Sequence, residues 1–187
     1  MHHCEGQVVP FALVFPPSDL QVRPVDASAL LELRRQVLRD GDQSARVSDR
    51  RDDVEGTLHL GGYLGPQLVC AVTLYREPPP FTSTRRSVQL RWMAVHGAFQ
   101  RQGVGGAALA HAERLLASDG VEMIWANARD TALGFYRSQG WTVIEGSGYV
   151  APPPLLLAHT TIYKELPGLP AADEDQPSAP PASTPAI

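Results

Sequence analysis

The stretch Leu90-Arg91-Trp92-Met93-Ala94-Val95-His96-Gly97-Ala98-Phe99-Gln100-Arg101-Gln102-Gly103-Val104-Gly105-Gly106-Ala107 decides how this chain is read. A strand ends at Met93-Ala94-Val95, a short loop follows, and a helix opens on glycines. At a helix start the first backbone N–H groups have no internal partner, and the macrodipole leaves partial positive charge there. Glycines at 103, 105 and 106 remove side chains that would keep an anion away, and Arg101 adds a cation. The segment is therefore expected to cradle a pyrophosphate with its backbone.

Three kinds of ligand use such a cradle. A nucleoside triphosphate site wants Gly-Lys-Ser/Thr, where this chain has Gly105-Gly106-Ala107. A dinucleotide site is closer, because Gly103-x-Gly105-x-x-Ala108 fits its relaxed fingerprint. That fingerprint starts directly at a strand end, whereas residues 96–102 intervene here. The glycines alone do not choose among the three.

The flanking pattern alternates between strand and helix. Gln21–Val25 reads as a strand, and Asp26 suits an N-cap for a helix over Ala27–Arg39, with Leu30, Leu33 and Val37 on one stripe. Residues 40–56 are polar, rich in Asp and Arg, and read as a loop or a short, irregular helix. Thr57–Leu64 and Gln67–Arg76 form a hairpin about Gly65-Pro66, and Ser87–His96 is the next strand. Gly103–Ser118 is a helix with Gly120 past its end; Val121–Ala126 a strand; Thr131–Gln139 a helix; Trp141–Glu145 and Thr160–Leu166 strands. The expected fold is α/β, a mixed sheet covered by helices on both faces.

A second block lies downstream: Trp125-Ala126-Asn127-Ala128-Arg129, then Gly134-Phe135-Tyr136-Arg137-Ser138-Gln139-Gly140-Trp141. Gln100-x-x-Gly103-x-Gly105 after Met-Ala-Val is similar to the acyl-CoA signature of the GNAT superfamily of N-acetyltransferases. The second block resembles that superfamily's Asn after the next strand and its Phe-Tyr-x-x-x-Gly-Phe element, with Trp141 in place of Phe. The two blocks cover about residues 88–145, and their order and spacing agree with the superfamily; the N-terminal half matches in its elements only.

The resemblance implies a central sheet whose two middle strands splay apart, with acetyl-CoA as co-substrate. Its pantetheine arm would pair with backbone near Ala94 and Val95, as an added strand does. Its pyrophosphate would rest on Arg101, Gly103, Val104, Gly105 and Gly106, behind Gln100, and Asn127 would bond the arm. Tyr136 would lie near the sulfur. The implied reaction is direct attack of a neutral primary amine on the thioester in a ternary complex. A backbone N–H at Val95 would stabilise the charge developing on the carbonyl oxygen. A Tyr hydroxyl, protonated at neutral pH with a reference pKa of about 10, can supply the proton the thiolate needs, which makes Tyr136 the expected acid.

The general base is open among His59, His96, Glu145 and His159. His59 faces away from Leu58 and Leu60 on its strand, and His159 follows the apolar Leu155–Leu157. His111 on the helix is expected to be structural. The acceptor is a small-molecule or protein amine, and a homodimer is left open. Arg34, Arg35, Arg39 and Arg46, Arg50, Arg51 fall where acceptor-side helices belong and would suit an anionic acceptor; as with Arg85 and Arg86, a solvated face is the commoner role. Two other readings remain: a non-catalytic CoA-binding sensor or scaffold, and a dinucleotide oxidoreductase.

Composition bounds these readings. Of 187 residues, 16 are basic and 20 acidic, a net −4, which disfavours a nucleic-acid binder held by phosphates. Residues 168–187 hold Asp173, Glu174 and Asp175, no base and five prolines, and are expected to be a disordered tail; residues 1–18 are expected to be flexible, and 19–167 to form the domain. No run approaches the roughly 20 apolar residues of a membrane span. Val8–Phe15 lacks the basic start of a secretory signal. Cys4 and Cys70 are too few for a disulfide framework, so reduced thiols in a cytoplasm are expected. No spaced Cys/His/Asp cluster suggests zinc, and the His2-His3 amine terminus would chelate metal only adventitiously.

Overall fold

A computed structural model describes residues 19–83, 86–153 and 155–167. The expectations for residues 1–18 and 168–187, with Cys4, His2 and His3, lie outside them, as does Arg85. The elements run β1 (Gln21–Pro24), α1 (Ala27–Leu38), β2 (Leu58–Leu64), β3 (Gln67–Tyr75), β4 (Ser87–Val95), α2 (Val104–Ser118), β5 (Met123–Arg129), α3 (Leu133–Ser138), β6 (Thr142–Val143), β7 (Tyr149–Val150) and β8 (Ala158–Glu165). The strands form one sheet in the order β1-β2-β3-β4-β5-β8-β6, with β7 also on β8. Every pair is antiparallel except β4–β5, which is parallel because α2 crosses between them. This is the mixed sheet flanked by helices that the pattern predicts.

The two faces carry different helices. On one, Leu30 and Leu33 of α1 pack with Ala71 and Ala94. On the other, Val104, Ala108, Leu109, Ala112 and Leu116 of α2 pack against Val72, Leu74, Val88, Leu90, Ile124 and Ile162. Small residues opening α2 let α3 approach closely. A Cβ on Gly105 would stand 3.2 Å from the Phe135 ring, and one on Gly106 2.7 Å from the Gln139 amide oxygen. Cys70 is fully buried between the layers, which pushes its thiol pKa up to about 12.

Strands β4 and β5 pair only through Ser87–Gln89 and Met123–Trp125. Beyond this β4 follows β3 alone, and β5 follows β8 alone. A register shift interrupts β3–β4 where Trp92 takes φ 53, a left-handed conformation. This is a β-bulge, which adds a residue and bends the strand. The bulge and the early parting of β4 from β5 open the middle of the sheet.

Local differences from the sequence reading have simple causes. The helix expected over Thr131–Gln139 is a 3-10 turn at Asp130–Ala132 followed by α3. The strand expected over Trp141–Glu145 pairs with β8 only at Thr142–Val143, and β7 has no periodic signal because two residues are too few to show one. Among the described residues no helix is long and apolar enough to cross a membrane.

Candidate active site

Where β4 and β5 part, a cleft of about 720 Å³ passes through the sheet. This is within the usual range of ligand pockets. Face assignment follows from the ladder. Thr73, which takes a hydrogen bond from Arg34 of α1, stands opposite Arg91, so Arg91 is on the α1 face. Asn127 and Arg129 follow Trp125, the partner of Gln89, on that same face, whereas Ala126 and Ala128 join the core under α2. Tyr136, Met93 and Gln100 line the cleft from the α2 side.

The α2 N-terminus is built without a protein cap. Gly103 is the N-cap residue with φ 83, and no side chain among the described residues caps the helix there. The first ladder bond is Ala107 N–H to the Gly103 carbonyl at 2.9 Å, so the amides of Val104, Gly105 and Gly106 precede the ladder. Arg101, exposed with φ 60, sits in the preceding loop. That loop is pinned by Gln100 Nε2 donating to the Val95 carbonyl (2.9 Å) and Gln102 Nε2 to the Ala98 carbonyl (2.7 Å).

Backbone alternation decides what β4 offers the cleft. His96 N–H donates to Val69 C=O at 2.9 Å, and Ala94 is two residues earlier opposite Ala71. Ala94 thus turns its backbone to β3, and the intervening Val95 turns its N–H and C=O to the edge that β5 leaves.

Tyr136 is buried, its hydroxyl 3.5 Å from Met93 Sδ, and its ring packs on Phe135 and Trp141 with centroids 5.2 Å away in each case. Burial, reinforced by Cys70, raises its pKa, so the hydroxyl holds its proton at every physiological pH. Asn127 Oδ1 accepts a hydrogen bond from Thr161 Oγ1 at 3.0 Å.

The four base candidates separate. His159 lines the cleft, stacks on Tyr149 (5.6 Å between centroids), and has Nδ1 2.8 Å from the Leu157 carbonyl. Since a carbonyl only accepts, Nδ1 carries a proton, and in the neutral ring the lone pair is therefore on Nε2. His59 is buried under α1, with Nε2 2.9 Å from the Asp52 carbonyl and Nδ1 3.0 Å from Thr73 Oγ1. It faces a separate cavity of about 430 Å³. His96 caps the Gly97–Phe99 turn by accepting from Ala98 N–H at 3.3 Å. Glu145 is exposed and outside the cleft lining.

Sequence reasoning missed Trp92, Arg91 and Arg129 as site residues. Arg91 alternates with Gln89 against Val88 and Leu90, so in the sequence it looks like any solvated charge on the polar side of a strand.

Three comparisons bear on this geometry. The acetyltransferase (GNAT) family model matches residues 27–141. The uncharacterized N-acetyltransferase YitI of Bacillus subtilis (strain 168) is 28% identical over 147 residues, covering 79% of this chain and 97% of that protein. Among solved structures, the ribosomal-protein-S18-alanine N-acetyltransferase of Escherichia coli superposes with TM-score 0.62 at 15% identity, covering 83% of this chain and 99% of its own. The ribosomal-protein-alanine N-acetyltransferase of Brucella melitensis gives 0.60 at 18%, covering 78% and 99%. At such identities the structures speak for the fold alone, while the family model spans more than half of the sequence. The splayed sheet, the uncapped α2 opening and that match together make this chain a member of the acetyltransferase (GNAT) family, the acyl-CoA-dependent N-acetyltransferases.

Proposed function

We propose that the protein transfers an acetyl group from acetyl-CoA to a primary amine of a small molecule or protein, by direct attack within a ternary complex. One observation carries the reading. On the edge that β5 leaves, Val95 turns out its N–H, its carbonyl being held by Gln100, and past the loop of residues 96–102 the amides of Val104, Gly105 and Gly106 open α2 ahead of its hydrogen-bond ladder. The residues present fit the co-substrate: an open strand edge suits an amide-containing arm, and free helix amides with Arg101 suit a pyrophosphate.

Acetyl-CoA supplies a thioester carbonyl already activated for attack. Arg101, Gly103, Val104, Gly105 and Gly106 hold its phosphates, Val95 backbone and Asn127 its arm. Val95 N–H donates to the carbonyl oxygen as negative charge develops there. His159 Nε2 takes the proton of the incoming ammonium, directly or through water. Nitrogen bonds the carbonyl carbon and the C–S bond breaks; Tyr136 O–H delivers a proton to the departing sulfur, and the surplus proton of the attacking nitrogen returns to the Tyr136 oxygen through water. The reading includes a reducing cytoplasmic setting, in keeping with the buried free thiol of Cys70.

The test is thiol release from acetyl-CoA across a broad panel of primary amines, with calorimetry of CoA binding alongside. Acceptor-dependent release supports the reading. Tight CoA binding with no release from any amine replaces it with a non-catalytic CoA sensor, and preference for NAD(H) over CoA rejects both.

A further inference from the structure

Three guanidinium groups from three elements meet on the α1 face of the cleft: Arg39 just past α1, Arg91 in β4, and Arg129 ending β5. Arg39 Nη1 and Arg129 Nη2 both donate to the Leu38 carbonyl, each at 2.8 Å. Arg39 and Arg91 both lie against the Trp92 ring, their guanidinium carbons 5.3 and 5.7 Å from its centroid. Burial and then the charges of Arg129 and Arg91 depress the Arg39 pKa, so the three repel one another.

Among the described residues none of the three forms an ion pair, and no Asp or Glu lines the cleft. The carboxylate that feels Arg91 is Asp49, but Arg51 holds both of its oxygens at 3.0 Å. The Leu38 carbonyl, at the negative end of the α1 dipole, and the Trp92 π-face offset part of the repulsion. Each guanidinium carries five donors, so the single bond that Arg39 and Arg129 each make to Leu38 leaves most of theirs unassigned. The cluster lies on the opposite face of the sheet from the α2 N-terminus, and so is distinct from the pyrophosphate cradle.

We propose that the acceptor is an amine bearing an oxyanion, a carboxylate or phosphate, which Arg39, Arg91 and Arg129 bind on the α1 face while the amine lies toward His159. The register supports this spacing: Arg129 and His159 stand directly opposite each other on β5 and β8, with side chains on one face. A forked guanidinium matches a planar carboxylate or a phosphate with paired hydrogen bonds. The inference deepens the acyl-transfer reading and rests on it for the amine, but not for the anion.

The test has a kinetic and a binding arm. In the kinetic arm an α-amino acid is compared with its methyl ester, and O-phosphoethanolamine with ethanolamine, with putrescine as a cationic amine. The acceptor KM is expected to be at least tenfold lower for the anionic member of one pair, and which pair responds separates carboxylate from phosphate. Arg91→Gln and Arg129→Gln should each raise that KM tenfold or more while the KM for acetyl-CoA stays put, and Arg91→Lys should recover part of the loss. Arg114→Gln, on an exposed position of α2, should change neither. Equal use of charged and masked acceptors, or preference for putrescine, overturns the inference.

The binding arm needs no turnover: N-acetylglycine and inorganic phosphate are titrated calorimetrically into native protein and the two Gln variants, with melting curves confirming that the variants fold. At least tenfold weaker binding of one probe to both variants upholds the anion site even if no amine is acetylated, in which case the acyl-transfer reading alone fails. Equal affinities overturn the site.

Discussion

Arg34 and Arg91 both lie against the Trp92 ring, their guanidinium carbons 5.3 and 5.7 Å from its centroid, yet their surroundings differ in every other respect. Arg34 is fully buried and donates to Asp52 Oδ2 (2.8 Å), Thr73 Oγ1 (2.6 Å) and the Val47 carbonyl (3.1 Å). Asp52 Oδ1 accepts from Tyr75 O–H at 2.5 Å, and the Tyr75 oxygen accepts from Trp92 Nε1–H at 3.1 Å. Arg91 is exposed to the cleft with Arg39 and Arg129 and has no acidic partner there. The first region is a buried polar network, in which the Arg34 charge is paired inside the protein by the Asp52 carboxylate. It also anchors the Trp92 indole, which explains how a bulky residue is held at φ 53. The second region is open, and among the described residues no ion pair balances its charges.

The comparison breaks most readily at Arg34. Arg34→Met should cost about 3–5 kcal/mol, because it leaves the Asp52 carboxylate buried without its cation. Urea unfolding measures this, and a loss under about 1 kcal/mol would mean the network does not support the bulge. Next in size is Tyr136→Phe, on the opposite wall, expected to lower kcat about 100-fold with the acceptor KM unchanged. A change in acceptor KM instead would merge the chemistry of that wall with the arginine cluster. A smaller effect belongs to Asp49, which the hydrogen bonds from Arg51 hold at about 2. A carboxyl with a folded pKa below its unfolded value stabilises above the unfolded pKa. Stability should therefore fall between about pH 4 and pH 2, by less than about 1 kcal/mol for a partly exposed pair. Asp49→Asn should flatten that part of the pH–stability curve. The smallest effect is on stability at the open cluster. Arg91→Gln should change unfolding free energy by no more than about 0.5 kcal/mol, since no intramolecular ion pair is lost. A large destabilisation would make Arg91 structural, like Arg34.

Much of this was legible in the chain. The Gly103 opening, the strand before it, the hairpin about Gly65 and the block from Trp125 to Trp141 each depend on residues close in sequence, where turn, cap and periodicity rules apply. Asn127 and Tyr136 were named from the family resemblance of the second block; the structure places Asn127 inside β5 and Tyr136 in α3, both at the cleft. The pairing of β4 with β5 was not legible, because nothing in Ser87–Val95 or Met123–Arg129 says that contact stops after three residues. Nor was the division of labour among His59, His96 and His159, since a histidine on a strand looks the same whether an arginine network or an open cleft faces it.

By itself the amino-acid order determined the fold class and the helix opening suited to phosphates, because backbone hydrogen-bond needs and apolar periodicity are properties of consecutive residues. Tertiary structure alone decided which charges face the acceptor side. The bulge at Trp92 puts three β4 steps between Arg91 and Ala94 against two on β3, between Thr73 and Ala71. Side chains alternate faces, so without the bulge the three steps from Arg91 to Ala94 would put the two on opposite sides of the sheet. With it, Arg91 shares the α1 face with Arg39 and Arg129, and three residues far apart in the chain become one site.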